Sequence, residues 1–215
     1  MKPLSECRLY GFVDTAYLHG RPPEAIAEQL CAGGADLIQL RAKTASQSEV
    51  RNLARALLPI TRNAGVGLVI NDHLSIAIEL EAELCHLGQE DFFGAGYKHV
   101  EELLPQSSPL LIGLSTHEPD QAKRAVQAGA AYVAIGPVYA TATKPTAKPV
   151  TLDYVRWAAA NLKVPWFAIG GITLDNLHEV IAAGARNVCV VSGILNADEM
   201  AARCRLFKTK LQAHP

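Results

Sequence analysis

No stretch of this chain approaches the ~20 consecutive apolar residues that a membrane helix needs. The opening residues, MKPLSECRLYGFVD, lack the apolar core of a signal peptide. An excess of charge of one sign is missing too, since 20 Lys and Arg face 21 Asp and Glu for a formal net charge of −1. So balanced a chain offers no electrostatic footprint for a nucleic acid or a membrane surface, and any phosphate it handles must be held by local groups. Cysteine is present but unorganised: Cys7, Cys31, Cys85, Cys189 and Cys204 are odd in number and fall in no C-x-x-C or zinc-ligand spacing. These absences lead us to expect a soluble, cytoplasmic protein whose partners are small molecules, with neither nucleic acid nor membrane among them and a homo-oligomer left open.

What is there is a repeat. A helix-like stretch ends in a small-residue turn and runs at once into an apolar strand in CAGGADLIQL, QAGAAYVAIG and AAGARNVCVV. Gly34, Gly129 and Gly184 stand where the helices would stop, a position that favours the left-handed cap conformation. The pattern predicts strands near 9–14, 37–43, 67–72, 83–89, 110–115, 132–138, 165–171 and 187–192, with amphipathic helices between most of them. Short apolar strands separated by helix-length connections read as buried parallel strands. A length of 215 residues suits one such domain, 1–215. The expected fold is α/β, a single (β/α)8 TIM barrel, with a doubly wound open sheet as the alternative.

In a barrel of this kind the chemistry belongs at the C-terminal ends of the strands. Those ends carry QLRAK, IND, GQED, GLSTH, TATK, GGIT and VSG, whereas the opposite ends are mostly Ala, Gly and turn residues. In QLRAK, alternation puts Gln39, Arg41 and Lys43 on one face. Two like cations there require an anionic ligand or a carboxylate, unless the strand frays into solvent by Lys43. Asp72 and Asp91 follow neighbouring strands. Each alone also suits an N-cap, but together they suit Mg2+, which takes one or two carboxylates and leaves the rest of its shell to water and phosphate. Asn71 suits a ligand contact and a turn brace equally.

The glycines of GGIT and VSG (Gly170, Gly171, Gly193) allow backbone N–H groups to approach a phosphate, or merely make tight turns. In GPVYATATKP, Thr141 and Thr143 point the same way if the chain stays extended, and hydroxyls beside an ammonium suggest an anion; a solvated loop is the plainer alternative. His73, His86, His99 and His178 show no ligand spacing and read as packing or exposed residues, as do Tyr97, Trp157 and Trp166.

Taken together and in order, QLRAK, IND, HLGQED, GLSTH, TATKP, AIGGI and VVSG resemble the successive signatures of thiamine phosphate synthases over about residues 9 to 195, with the two aspartates 19 positions apart. The resemblance implies a TIM barrel transferase that joins 4-amino-2-methyl-5-hydroxymethylpyrimidine diphosphate to 4-methyl-5-hydroxyethylthiazole phosphate and releases pyrophosphate. It implies that Gln39, Arg41, Lys43, Asn71, Ser115 and Lys144 contact the pyrimidine diphosphate, with Arg41, Lys43, Ser115 and Lys144 as the catalytic set. Asp72 and Asp91 become the Mg2+ ligands, and Thr141, Ala142, Thr143, Gly171, Val191 and Ser192 the thiazole phosphate site. One departure is visible: after TKP the family usually places a glycine, where this chain reads TAKPVTLDYV. A thiazole tautomerase relative and a non-catalytic ligand-binding barrel are the alternatives on the same fold; the first needs neither diphosphate nor magnesium.

Overall fold

The computed structural model describes residues 1–141 and 148–213. Eight parallel strands close into a barrel in chain order: β1 (Leu9–Asp14), β2 (Leu37–Arg41), β3 (Gly67–Asn71), β4 (Leu84–Leu87), β5 (Leu111–Thr116), β6 (Tyr132–Ile135), β7 (Trp166–Ile169) and β8 (Val188–Cys189), with β8 pairing back onto β1. The helices are α1 (Pro23–Ala32), α2 (Gln47–Asn63), α3 (Leu74–Glu79), α4 (Pro119–Gln127), α5 (Thr151–Asn161), α6 (Leu177–Ala182), α7 (Ser192–Leu195) and α8 (Met200–Gln212). Between β4 and β5 the chain uses a π-helical turn at Glu90–Gly94 and a 3-10 turn at Val100–Leu103 in place of an α-helix. The closed barrel is the fold expected from the repeat, and the open sheet is excluded.

The repeat has the cause read from the sequence. Gly34, Gly129 and Gly184 adopt φ of +86°, +87° and +103°, so each helix stops in a left-handed turn that feeds the next strand. Helix α2 starts at a reciprocal cap between Ser46 and Glu49, and it turns Val50, Ala54, Leu57, Leu58 and Thr61 onto one buried stripe. Helix α8 buries Met200, Cys204, Phe207 and Leu211 at the same helical spacing.

Six of the eight strands are shorter at their C-terminal ends than expected; β1 ends at Asp14 as expected and β5 runs one residue further, to Thr116. Asp72 takes φ +65°, and Gly170 and Gly171 take +104° and +64°, conformations outside the β region. Lys43, Asp72, Gly171 and Val191 lie just past the strands on the loops around the barrel mouth, with Asp91 in the π-helical turn after β4 and Ser192 at the start of α7.

Two features position the mouth from below. The barrel interior is filled with rings: Tyr10 stacks on Phe12 at 5.3 Å, and Phe167 meets Tyr10 and Tyr132 edge-on at 5.4 and 5.6 Å. At the opposite end, Asp36, only 7% exposed, accepts hydrogen bonds from the backbone N–H groups of Arg8 (2.7 Å) and Leu9 (2.9 Å), and from the ammonium groups of Lys2 (2.6 Å) and Lys208. The expectation of Ala, Gly and turn residues at that end thus has an exception, because a buried carboxylate there ties both terminal segments to the barrel floor.

Candidate active site

One cavity of about 780 Å³ opens at the C-terminal ends of the strands. Among the residues that line it are Gln39, Arg41, Lys43, Asn71, Asp72, Asp91, Ser115, Thr141, Gly171, Val191 and Ser192. Every site residue expected from the sequence is therefore brought to one mouth, apart from Ala142, Thr143 and Lys144, which lie outside the described residues. Helix α5 starts at Thr151 with φ +62°, a strained conformation for a β-branched residue.

The two cations of QLRAK both meet carboxylates, Arg41 largely buried and Lys43 exposed. Arg41 Nη1 lies 2.8 Å from Asp14 Oδ2, and Asp14 is 1% exposed. The other oxygen of Asp14 accepts from Ala16 N at 3.0 Å, so both its lone-pair sets are directed. Lys43 Nζ lies 2.5 Å from Asp72 Oδ2 nearer the solvent. Asp91 Oδ2 accepts from Gly88 N at 3.2 Å. Asp14 was missed in the sequence, although it stands at the end of FVD just as Asp72 stands at the end of IND.

His86 and Gln89 were also missed as site residues. His86 is 7% exposed and bridges Tyr132 Oη (3.0 Å from Nδ1) and Ser115 Oγ (2.9 Å from Nε2), so it is a polar link and more than packing. Gln89 Nε2 donates to Ser115 O at 2.5 Å, while its Oε1 accepts from Arg124, whose guanidinium lies 3.8 Å over the Phe93 ring. His117 Nδ1 is 2.5 Å from Gly136 O. A carbonyl only accepts, so Nδ1 carries the hydrogen and the imidazole is anchored to the β6 loop.

Cysteine chemistry is absent from this site. All five thiols are unpaired, and burial raises Cys189, which lines the cavity, well above its ordinary value and Cys85 to about 12. A thiolate nucleophile has no support there.

The donor set fits a hard divalent cation. Two carboxylates from the ends of adjacent strands face one solvated mouth, and among the described residues no group of three or more His, Cys, Asp or Glu could hold a metal. Mg2+ needs only one or two carboxylates and takes water and phosphate oxygens for the rest, so Asp72 and Asp91 are the residues that could hold one.

A parallel eight-stranded barrel with cations and carboxylates concentrated on its βα loops defines a TIM-barrel enzyme for phosphorylated small molecules. The particular family follows from comparison. A family profile described as thiamine monophosphate synthase matches residues 9–194. The thiamine-phosphate synthase of Halalkalibacterium halodurans is 33% identical over 210 residues, 97% of each chain, and that of Thermus thermophilus 40% identical over 189 residues, 86% of each. A solved thiamine phosphate pyrophosphorylase from Pyrococcus furiosus superposes with a TM-score of 0.86 at 24% identity, covering 99% of this chain and 98% of its own. The chain belongs to the thiamine phosphate synthase family, a family of transferases.

Proposed function

We propose that this mouth joins the aminopyrimidine diphosphate to the thiazole phosphate, with Mg2+ held by Asp72 and Asp91. The observation that carries the reading is the convergence of Arg41, Lys43, Asp72 and Asp91 on one cavity that is large enough for two small substrates. Bound there, the metal would supply positive charge for the leaving pyrophosphate. Arg41 adds its own from β2 and Lys43 from the loop after it, and Lys144 is the third cation of the proposed set. Lys43 exchanges its contact with Asp72 for the diphosphate as substrate enters. Gln39 and Asn71 orient the pyrimidine, and Ser115 donates to a diphosphate oxygen.

The bond chemistry balances without a protein nucleophile. The C–O bond breaks with its electron pair leaving on pyrophosphate, and the electron-rich aminopyrimidine stabilises the cationic carbon. The thiazole nitrogen then attacks with its lone pair. What the protein contributes is alignment of the two substrates and fixed charge around the leaving group. Thr141, Gly171, Val191 and Ser192 of the cavity lining hold the thiazole phosphate, and the family motif adds Ala142 and Thr143 to that set.

The test is pyrophosphate release by purified protein supplied with each substrate alone and with both. Release coupled to thiamine phosphate only when both are present is the expected result. A proton shift on the thiazole without any need for diphosphate or magnesium would mean a tautomerase, and tight binding without turnover would mean a binding barrel.

A further inference from the structure

Four hydrogen bonds run in series through the barrel interior and join two residues of the mouth. Gln39 Nε2 lies 2.6 Å from Tyr10 Oη, and Tyr10 Oη lies 3.1 Å from Tyr132 Oη. Tyr132 Oη is 3.0 Å from His86 Nδ1, and His86 Nε2 is 2.9 Å from Ser115 Oγ. The chain crosses β1, β2, β4, β5 and β6. It exists because β5 carries Gly113 opposite Tyr132 in the register: a Cβ at Gly113 would lie 2.1 Å from Tyr132 Cζ, so only glycine leaves room for the phenol. Burial pushes both phenols well above their ordinary pKa, so each remains an O–H with one hydrogen to give.

Counting hydrogens gives the series a direction. A phenol that accepts from Gln39 passes its own hydrogen to the next oxygen, and Tyr132 passes its hydrogen to His86 Nδ1, which must therefore be bare. A neutral imidazole then carries its proton on Nε2 and donates it to Ser115 Oγ. The Ser115 hydrogen is left for an acceptor in the mouth, and the Gln39 carbonyl oxygen is left for a donor. The reverse direction turns over the Gln39 amide, puts the imidazole proton on Nδ1, and makes Ser115 donate to His86. The two ends are thus coupled: the mouth shows either an acceptor at Gln39 with a donor at Ser115, or the opposite pair.

We infer that His86 is a positioning residue, held as the Nε2–H tautomer by the Tyr10–Tyr132 pair, and that this sets Ser115 as a hydrogen-bond donor and Gln39 as an acceptor toward substrate. This rests on the proposed function in one respect, that the ligand near Ser115 is a diphosphate, which can only accept, while the aminopyrimidine brings an amine to donate. The first direction matches that ligand at both ends and the reverse matches it at neither.

The test begins with protein carrying 15N-histidine, the His86 ring signals being assigned by their loss in His86→Gln. The expected spectrum has a bare Nδ1 and a protonated Nε2. In Tyr132→Phe, which keeps the ring and removes the hydroxyl, the tautomers should mix, and kcat/KM for the pyrimidine diphosphate should fall about tenfold while KM for the thiazole phosphate holds. His86→Gln keeps an N–H where Nε2 stood and should stay within about threefold of wild type, whereas His86→Leu should not. A proton on Nδ1 in the wild type, alone or together with Nε2, overturns the inference, as does equal activity of the Gln and Leu variants. Because the spectrum is read on the protein whether or not it turns over, loss of the synthase reading and loss of the relay are separate results.

Discussion

Arg41 and Asp14 show how a residue can be legible in kind and not in partner. The alternation in QLRAK predicts a buried cation needing a carboxylate, and the structure supplies Asp14 from β1, 2.8 Å away. Neighbouring strands follow from the expected barrel order, but the spacing of FVD and QLRAK does not say which residues face each other; the parallel register that sets Asp14 opposite Arg41 does. Removing the carboxylate strands a half-buried guanidinium, so Asp14→Ala should cost about 3 kcal/mol in urea unfolding and lower turnover as well. A loss below about 1 kcal/mol would mean that the pair is as weak as an exposed one. His117 gives the opposite expectation. Its Nδ1 is committed to Gly136 O, and the condensation has no proton for a base to remove before the carbon–nitrogen bond forms. His117→Ala should therefore keep most pyrophosphate release, and Ser115→Ala should not. The reverse order of the two variants would assign the GLSTH loop to proton transfer.

At the scale of elements, the repeated glycine turns and the apolar strands were readable because each rests on local rules, a left-handed cap and a buried parallel strand. The C-terminal strand limits were not, since Lys43, Asp72 and Gly171 leave the sheet to face a cavity that exists only once eight strands have closed. His86 was hidden for the same reason. Within LCHL it looks like one polar residue in a packed strand, and its role depends on Tyr132 and Ser115, 46 and 29 residues away. The β5–β6 pair makes a sharp test of this packing. Gly113→Ala places a methyl group against Tyr132, and it should lower stability by about 1–3 kcal/mol through overpacking while also depressing activity. Wild-type thermal stability with wild-type kcat/KM would show that Tyr132 can move without consequence.

The whole molecule separates its two ends, with the candidate site at the mouth and a buried ionic clamp at the floor. Burial alone would raise the Asp36 carboxyl, but hydrogen bonds from Lys2, Lys208, Leu9 and Arg8 outweigh it and hold the group below its ordinary value of 3.8. A carboxyl with a depressed folded-state pKa contributes stability above its unfolded value and loses it as pH falls through the folded one. Unfolding midpoints should therefore drop in acid below about pH 4, and Asp36→Asn should be less stable than wild type at pH 7 with a shallower acid dependence. Parallel acid profiles for the two proteins would remove Asp36 from the account. At the mouth, the central claim is that two strand-end aspartates and a magnesium ion carry the departure of pyrophosphate from one substrate as the other captures its carbon. The most direct measurement is thiamine phosphate formed against pyrophosphate released as Mg2+ is titrated, in the wild type and in Asp91→Ala, with circular dichroism to confirm that the variant is folded. The account predicts one product per pyrophosphate, magnesium dependence in the wild type, and turnover in folded Asp91→Ala reduced on the order of 10²-fold or more. Near-wild-type turnover with unchanged magnesium dependence in that variant would contradict it.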